Sequence, residues 1–134
     1  MVGGEFVLHL RSANCRDEVG RWDPGSGQLE FGLSPDNNVI KEVAEEYGCQ
    51  GKIIGSLPPH SIFRRHENQL THWFAIPYFV IVDQDKVRIN EPTKIDDLGW
   101  FKLRSLPKPL HTGFGYTLKN FRAEFDKIAK LESV

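Results

Sequence analysis

The chain has 134 residues, 40% of them hydrophobic, enough for one domain of ordinary size with a real core. Seventeen basic against eighteen acidic side chains leave it near neutral, which argues against a general nucleic-acid binder but not against a nucleotide whose phosphates are met locally. Cys15 and Cys49 are too few for a disulfide framework or a zinc site, and the longest apolar run, Phe74 to Val82, is broken by Pro77 and falls well short of the roughly 20 residues of a membrane helix.

Phe6 to Leu10 alternates weakly and is predicted as a strand, followed by a polar loop from Arg11 to Arg21. A glycine-rich turn then leads to a helix. Ser34 can cap it, Pro35 suits its first position and Gly48 ends it. Lys52 to Leu57 is predicted as a short strand and Pro58 to Gln69, with two prolines and several charges, as a loop. Thr71 to Val82 is rich in aromatic and β-branched residues and should be a central strand, with Pro77 marking a bulge or an edge. Val87 to Ile89 and Leu98 to Lys102 are expected as short strands and Leu103 to Leu106 as a turn. From Thr117 to Leu131, Leu118, Phe121, Phe125 and Ile128 recur at helical spacing and predict one helix lying on the sheet. Strands with helices on both faces give an α/β sandwich. No internal repeat is present, and no basic region precedes a long apolar stretch at the N-terminus, so a signal peptide is not expected and a cytoplasmic setting is.

The segment Gly27 to Cys49 carries the chemistry. On its helix, Glu42, Glu45 and Glu46 fall within one arc of roughly 100°, while Ile40, Val43, Ala44 and Tyr47 gather on a neighbouring arc that can face a core. Like charges at spacings of three and four destabilise a helix by roughly 0.2–0.5 kcal/mol per pair, and the last helical turn disfavours anions. A divalent cation reverses both penalties, and Mg²⁺, which combines carboxylates with waters and phosphates, suits the site, with Mn²⁺ as the alternative. Carboxylates and a glycine-rich loop together point to chemistry on phosphates.

These residues resemble the Nudix box: a glycine, five residues, a glutamate, seven residues, then Arg-Glu-aliphatic-any-Glu-Glu-any-Gly-aliphatic. Gly27 takes the glycine position, and Glu42, Val43, Glu45, Glu46 and Gly48 fall in register. Glu30 and Gly32 suit the loop of many members. Leu33 stands where the first glutamate is expected, Lys41 where the arginine is expected and Cys49 at the last aliphatic position. In the family the first glutamate and the arginine support the loop and helix by charge pairing. With Leu33 uncharged and Lys41 lacking the planar fork of arginine, that support is expected to be weakened, and activity reduced. The resemblance extends to Arg21–Gly27 ahead of the box and to Asn90–Lys94, Gly99-Trp100-Phe101 and Leu103–Pro107 after it, covering Phe6 to Pro109.

The resemblance implies a Nudix-type α/β/α sandwich with a mixed sheet between helices, over a single domain 1–134. It implies a hydrolase cleaving the diphosphate linkage of a nucleoside diphosphate joined to another group. Glu42, Glu45 and Glu46 would hold the cation, with a backbone carbonyl near Gly27 as a further ligand. Glu91 matches the additional glutamate that members carry on a later loop, and either Glu42 or Glu91 would take the proton from water. A weakly active or inactive domain that binds a nucleotide or a partner is the alternative. Members have a longer strand ahead of Glu5–Arg11, so either the start is shortened or a second copy covers the sheet edge, and a homodimer is the expectation.

The remaining candidates are substrate contacts. Arg64 and Arg65 could fork onto phosphates, against the alternative that they are solvated surface groups. Trp22, Phe63 and Trp73 could stack on a base, against the alternative that they pack in a core. The five histidines have no zinc-site spacing.

Overall fold

The layering follows from alternation along two strands. In the computed structural model, which describes residues 1–133, strand β1 (Phe6–Arg11) sends Phe6 into one apolar cluster and Val7 into a second. Neighbouring side chains on a strand point to opposite faces, so these clusters lie on the two sides of the strand layer. Strand β6 (Tyr78–Ile81) repeats the division with Phe79 and Val80. Helix α1 (Pro35–Tyr47) covers the Val7 side with Val43 and Tyr47. Helices α2 (Thr112–Asn120) and α3 (Arg122–Glu132) cover the Phe6 side with Leu118 and Phe125. Helices therefore flank the strands as expected for an α/β sandwich.

The other strands are β2 (Trp22–Asp23), β3 (Lys52–Ser56), β4 (His60–His66), β5 (Gln69–Ala75) and β7 (Ile95–Phe101). They group as β2-β1-β7, β3-β6 and β4-β5, and every one of these pairs is antiparallel. The parallel component of the expected mixed sheet is an isolated bridge between Trp22 and Leu110.

Four predicted elements differ. The segment Pro58–Gln69 is not a loop: it is mostly β4, and a two-residue turn at Glu67 and Asn68, both with positive φ, returns the chain as β5. Positive φ at both positions gives the backbone twist a tight hairpin needs. The single strand expected over Thr71–Val82 is two strands, because Pro77 has no N–H for a ladder; its carbonyl instead accepts from Leu57 N at 3.1 Å. Val87–Ile89 forms no strand: the Val87 amide closes a turn onto Asp83 O at 3.2 Å, and Arg88 N bonds Tyr47 O of α1 at 3.0 Å. The C-terminal helix is two helices that part at Phe121, whose φ of −124° and ψ of 31° leave helical geometry. The ends of α1 match expectation. Ser34 Oγ accepts from Asn37 N at 3.2 Å, and Gly48, at φ 69°, donates its N–H to Ala44 O at 2.9 Å.

Candidate active site

The last turn of α1 has orphan carbonyls and no basic side chain to satisfy them. A following segment takes that role. Asn90 Nδ2 donates to Glu45 O at 2.9 Å, and Asn90 N donates to Glu46 O at 3.1 Å. This cap brings the next residue, Glu91, to the carboxylates of α1. A cleft of about 1060 Å³ runs from Glu42, Glu46 and Glu91 past His9, Asp23 and Trp73 to His111 at the start of α2.

Two glycines fit the carboxylates closely. A methyl group built on Gly27 would collide with the Glu42 carboxylate, and one built on Gly25 would collide with that of Glu46. The bare backbone of the Pro24–Gly27 turn thus lies directly over both acids. Glu46 is 8% exposed. Burial pushes its carboxyl well above the usual carboxylate range, Asp23, Glu42 and Glu91 add to the rise, and a backbone hydrogen bond from Ser26 opposes it. Burial also raises Glu42, with Glu45, Glu91 and Glu30 adding and Lys41 opposing. Acids that repel one another, Glu46 buried and Glu42 half-buried, crossed by a close backbone, suit a hard divalent cation. Of the expected ligands, Glu42 and Glu46 lie against the Gly25–Gly27 backbone, where such an ion would sit.

The three carboxylates do not, however, converge as the sequence leads one to expect. Among the described residues no group of three acids, histidines or cysteines forms a ready metal cage. Glu45 is turned to Lys41, whose Nζ lies 2.5 Å from its Oε1 and 2.6 Å from Glu30 Oε1. In place of the support that Leu33 and Lys41 are expected to weaken, an ion pair forms with Glu30 instead of an acid at position 33. The two glutamates hold the Lys41 ammonium above its ordinary pKa.

A second network, invisible to local pattern, supports the turn from below. Tyr47 is buried; its hydroxyl lies 2.5 Å from Pro24 O and 2.8 Å from His9 Nδ1. Burial lowers the His9 pKa, against the opposing pull of Asp23, and so favours the neutral ring. Arg11 Nη1 bonds Asp23 Oδ2 at 3.1 Å, and Asp23 Oδ1 accepts from Gly25 N at 3.0 Å, so Arg11 and Asp23 shape the turn over Glu46. The one advance signal was His9 on the inward alternation of β1.

The candidate substrate contacts divide. The inward face of the β4-β5 hairpin carries Arg64 and Trp73 into the cleft. Arg64 already engages Asp17 at 3.3 Å and Glu18 at 3.4 Å, and its guanidinium lies 5.0 Å from the centre of the Trp73 ring. Its donors are directed at protein carboxylates, whereas Trp73 also lies under Arg16 at 5.1 Å. Phe63 and Arg65 point outward with the opposite strand face, where Phe63 stacks on His72 at 4.5 Å. Both border a second, smaller depression with Arg21 and His66. Trp22 packs edge-on to Phe101 at 5.4 Å and does not line the cleft.

Comparison with known proteins agrees with this architecture. The profile of the NUDIX domain matches residues 2–121. A MutT NUDIX hydrolase from Burkholderia pseudomallei is 26% identical, with 87% of each chain covered and a TM-score of 0.73. A UDP-X diphosphatase shares the fold at 22% identity and TM-score 0.61, over 78% of this chain and 47% of that one. The E. coli ORF135 protein does so at 20% identity and TM-score 0.57, over 90% and 84%. No curated protein matches the sequence. With the box in register on α1 and the profile spanning nearly the whole chain, the protein belongs to the Nudix hydrolase family.

Proposed function

We propose that the protein is a Mg²⁺-dependent pyrophosphatase acting on a nucleoside diphosphate linked to another group, with residues 1–134 as its one Nudix domain. The observation that carries this reading is the close approach of Gly25 and Gly27 to the carboxylates of Glu46 and Glu42, an arrangement that costs energy until a cation is shared between them. A divalent ion, Mg²⁺ or Mn²⁺, held by Glu42, Glu45, Glu46 and the Gly27 backbone would neutralise phosphate oxygens and acidify a water.

The chain's own groups supply the rest. Glu42 has a carboxyl whose proton affinity is raised by burial, which suits a group that takes a proton from water, and Glu91 stands at the same carboxylates as the alternative base. Trp73 lines the cleft with the guanidinium groups of Arg64 and Arg16 over its ring, so a base that stacks there would displace one of them. Arg64 would need release from Asp17 and Glu18 to reach a phosphate. Arg65 and Phe63, on the outward hairpin face, would meet only parts of a substrate that extend beyond the cleft. The same outward face exposes Leu70 and Phe74, which a second copy would cover in a homodimer. The free thiols Cys15 and Cys49 accord with a cytoplasmic setting, and no helix among the described residues is long and apolar enough to cross a membrane.

The test is turnover over a panel of nucleoside triphosphates, nucleotide sugars and dinucleotides in Mg²⁺. Glu45→Gln and Glu46→Gln should each lower kcat by orders of magnitude while leaving the fold intact. Turnover that survives both changes would refute the assignment. The binder alternative has one observation in its favour, the Lys41 ammonium on Glu45; it would show as thermal stabilisation by nucleotide without product release.

A further inference from the structure

Lys41 sits where the proposed cation would compete for a ligand. It is four residues before Glu45 on α1 and reaches both Glu45 and Glu30. All three side chains are between 41% and 47% exposed. Exposed pairs of this kind are weak and exchange readily. A lysine ammonium is also a compact point charge on a flexible stem, able to keep one carboxylate and release another, where a planar guanidinium would hold a fixed fork. Glu45 cannot serve Lys41 and a divalent ion equally well, because the two cations repel across it.

The second carboxylate is held in place independently. Glu30 N donates to Asn38 Oδ1 at 3.1 Å, and Asn38 Nδ2 donates to Gln28 O at 3.2 Å. Asn38 is buried on α1, so the loop backbone at Glu30 stays docked whether or not Lys41 is bound to it. Leu33 N closes the loop onto Glu30 O at 3.1 Å.

We propose that Lys41 is a resident cation that competes with the divalent ion for Glu45, and that Glu30 is the carboxylate to which it retreats when the ion binds. Lys41 is then a gate on metal affinity rather than a fixed support of the box. The inference rests on the metal site proposed above.

Mn²⁺ binding, followed by the electron paramagnetic resonance of the free ion and by calorimetry, separates the possibilities without requiring turnover. Removing the competitor with Lys41→Gln should tighten Mn²⁺ by roughly two- to fivefold, the range that an exposed ion pair can contribute. Glu30→Gln, which leaves Lys41 only Glu45, should weaken it by a similar factor. In the Lys41→Gln background, Glu30→Gln should have no effect. Lys52→Gln, an exposed lysine on β3, serves as the control for loss of a positive charge and should leave affinity unchanged. A Lys41→Gln protein that binds Mn²⁺ equally or more weakly than the wild type overturns the proposal, because a supporting lysine gives that sign. If the wild type binds Mn²⁺ and only this sign is wrong, the gate fails and the metal site stands. If neither protein binds Mn²⁺, the metal site fails and the gate falls with it.

Discussion

Replacing Gly27 by alanine separates the role of the turn from the stability of the fold. The added Cβ would fall inside the Glu42 carboxylate. Gly27 is not in the left-handed region, so its backbone tolerates alanine, and the obstructing atoms are the free end of a flexible side chain. Glu42 can therefore swing aside, and the cost to the fold should stay near the low end for added methyl groups, about 1 kcal/mol. For a chain of this size that lowers the melting midpoint by about 4 °C. The functional cost should be larger, because Glu42 must leave the position in which the turn holds it. Displacing a group that orients a metal ligand typically costs about 10–100-fold in metal affinity or activity, or about 1.4–2.7 kcal/mol. Mn²⁺ calorimetry, turnover in Mg²⁺ and a thermal melt of one preparation give all three quantities. Wild-type affinity and turnover in Gly27→Ala would refute the reasoning, as would a melting shift large enough to explain the loss by unfolding. Gly25→Ala cannot serve the same purpose: its φ of +127° adds backbone strain to the collision with Glu46.

Two further outcomes are expected. Because burial raises the Glu46 pKa in the folded state, the folded protein binds this proton more tightly than the unfolded chain does. The stability from this group is fully present below the ordinary glutamate range and is lost as pH rises through the raised value, so without divalent ions Glu46→Gln should be more stable than wild type at pH 8 and should gain less from added Mg²⁺. Buried His9 and half-buried His111 give the opposite slope on the acid side, which is why the difference between variant and wild type is the quantity to follow; a Glu46→Gln protein less stable at pH 8 would refute the electrostatic reading. Tyr47→Phe strips the hydroxyl that joins His9 to Pro24 O and should cost about 1–3 kcal/mol in urea unfolding, and an unchanged midpoint would show that the buried network contributes nothing.

The sequence made α1 legible because its signals are local: a capping serine, a proline at the first position, a glycine at the end and acids at fixed helical offsets. The same is true of β1 and β3. The hairpin β4-β5 was hidden because its charged residues lie on both faces of a two-stranded sheet, so alternation is blurred, and its turn is built from Glu67 and Asn68 in place of a glycine pair. Pro77 signals an interruption, and in the structure the interruption is complete: it lies between the end of β5 and the start of β6. Phe121 gave no warning of a helix break, because its apolar spacing continues through α2 and α3. In the candidate site, the acids could be read from the sequence and their surroundings could not. Asp23, Arg11 and Tyr47 meet across separations that no local motif records, and the outward turn of Phe63 and Arg65 follows from a strand register that was not recognised.

The two departures from the Nudix box take on a different meaning in three dimensions. A motif counts an acid at position 33 because that position usually delivers a charge to the helix; what the helix requires is the charge, not the position. Helical residues must keep their spacing to stay on one face, which is why Glu42, Glu45 and Glu46 remain in register, but a loop has no such periodicity. Glu30, three residues earlier on a loop pinned by Asn38, reaches Lys41 at 2.6 Å. Position 33 is thereby relieved of its charge, and Leu33, half-buried, is free to be apolar. The exchange of arginine for lysine follows the same logic: once the acid approaches from a different point of the loop, a planar fork aimed at position 33 has no advantage over a rotatable ammonium that reaches Glu30 and Glu45 together. The departures are therefore linked. They belong to one ion network, in which Lys41 meets Glu30 and Glu45 where the box has its glutamate and arginine.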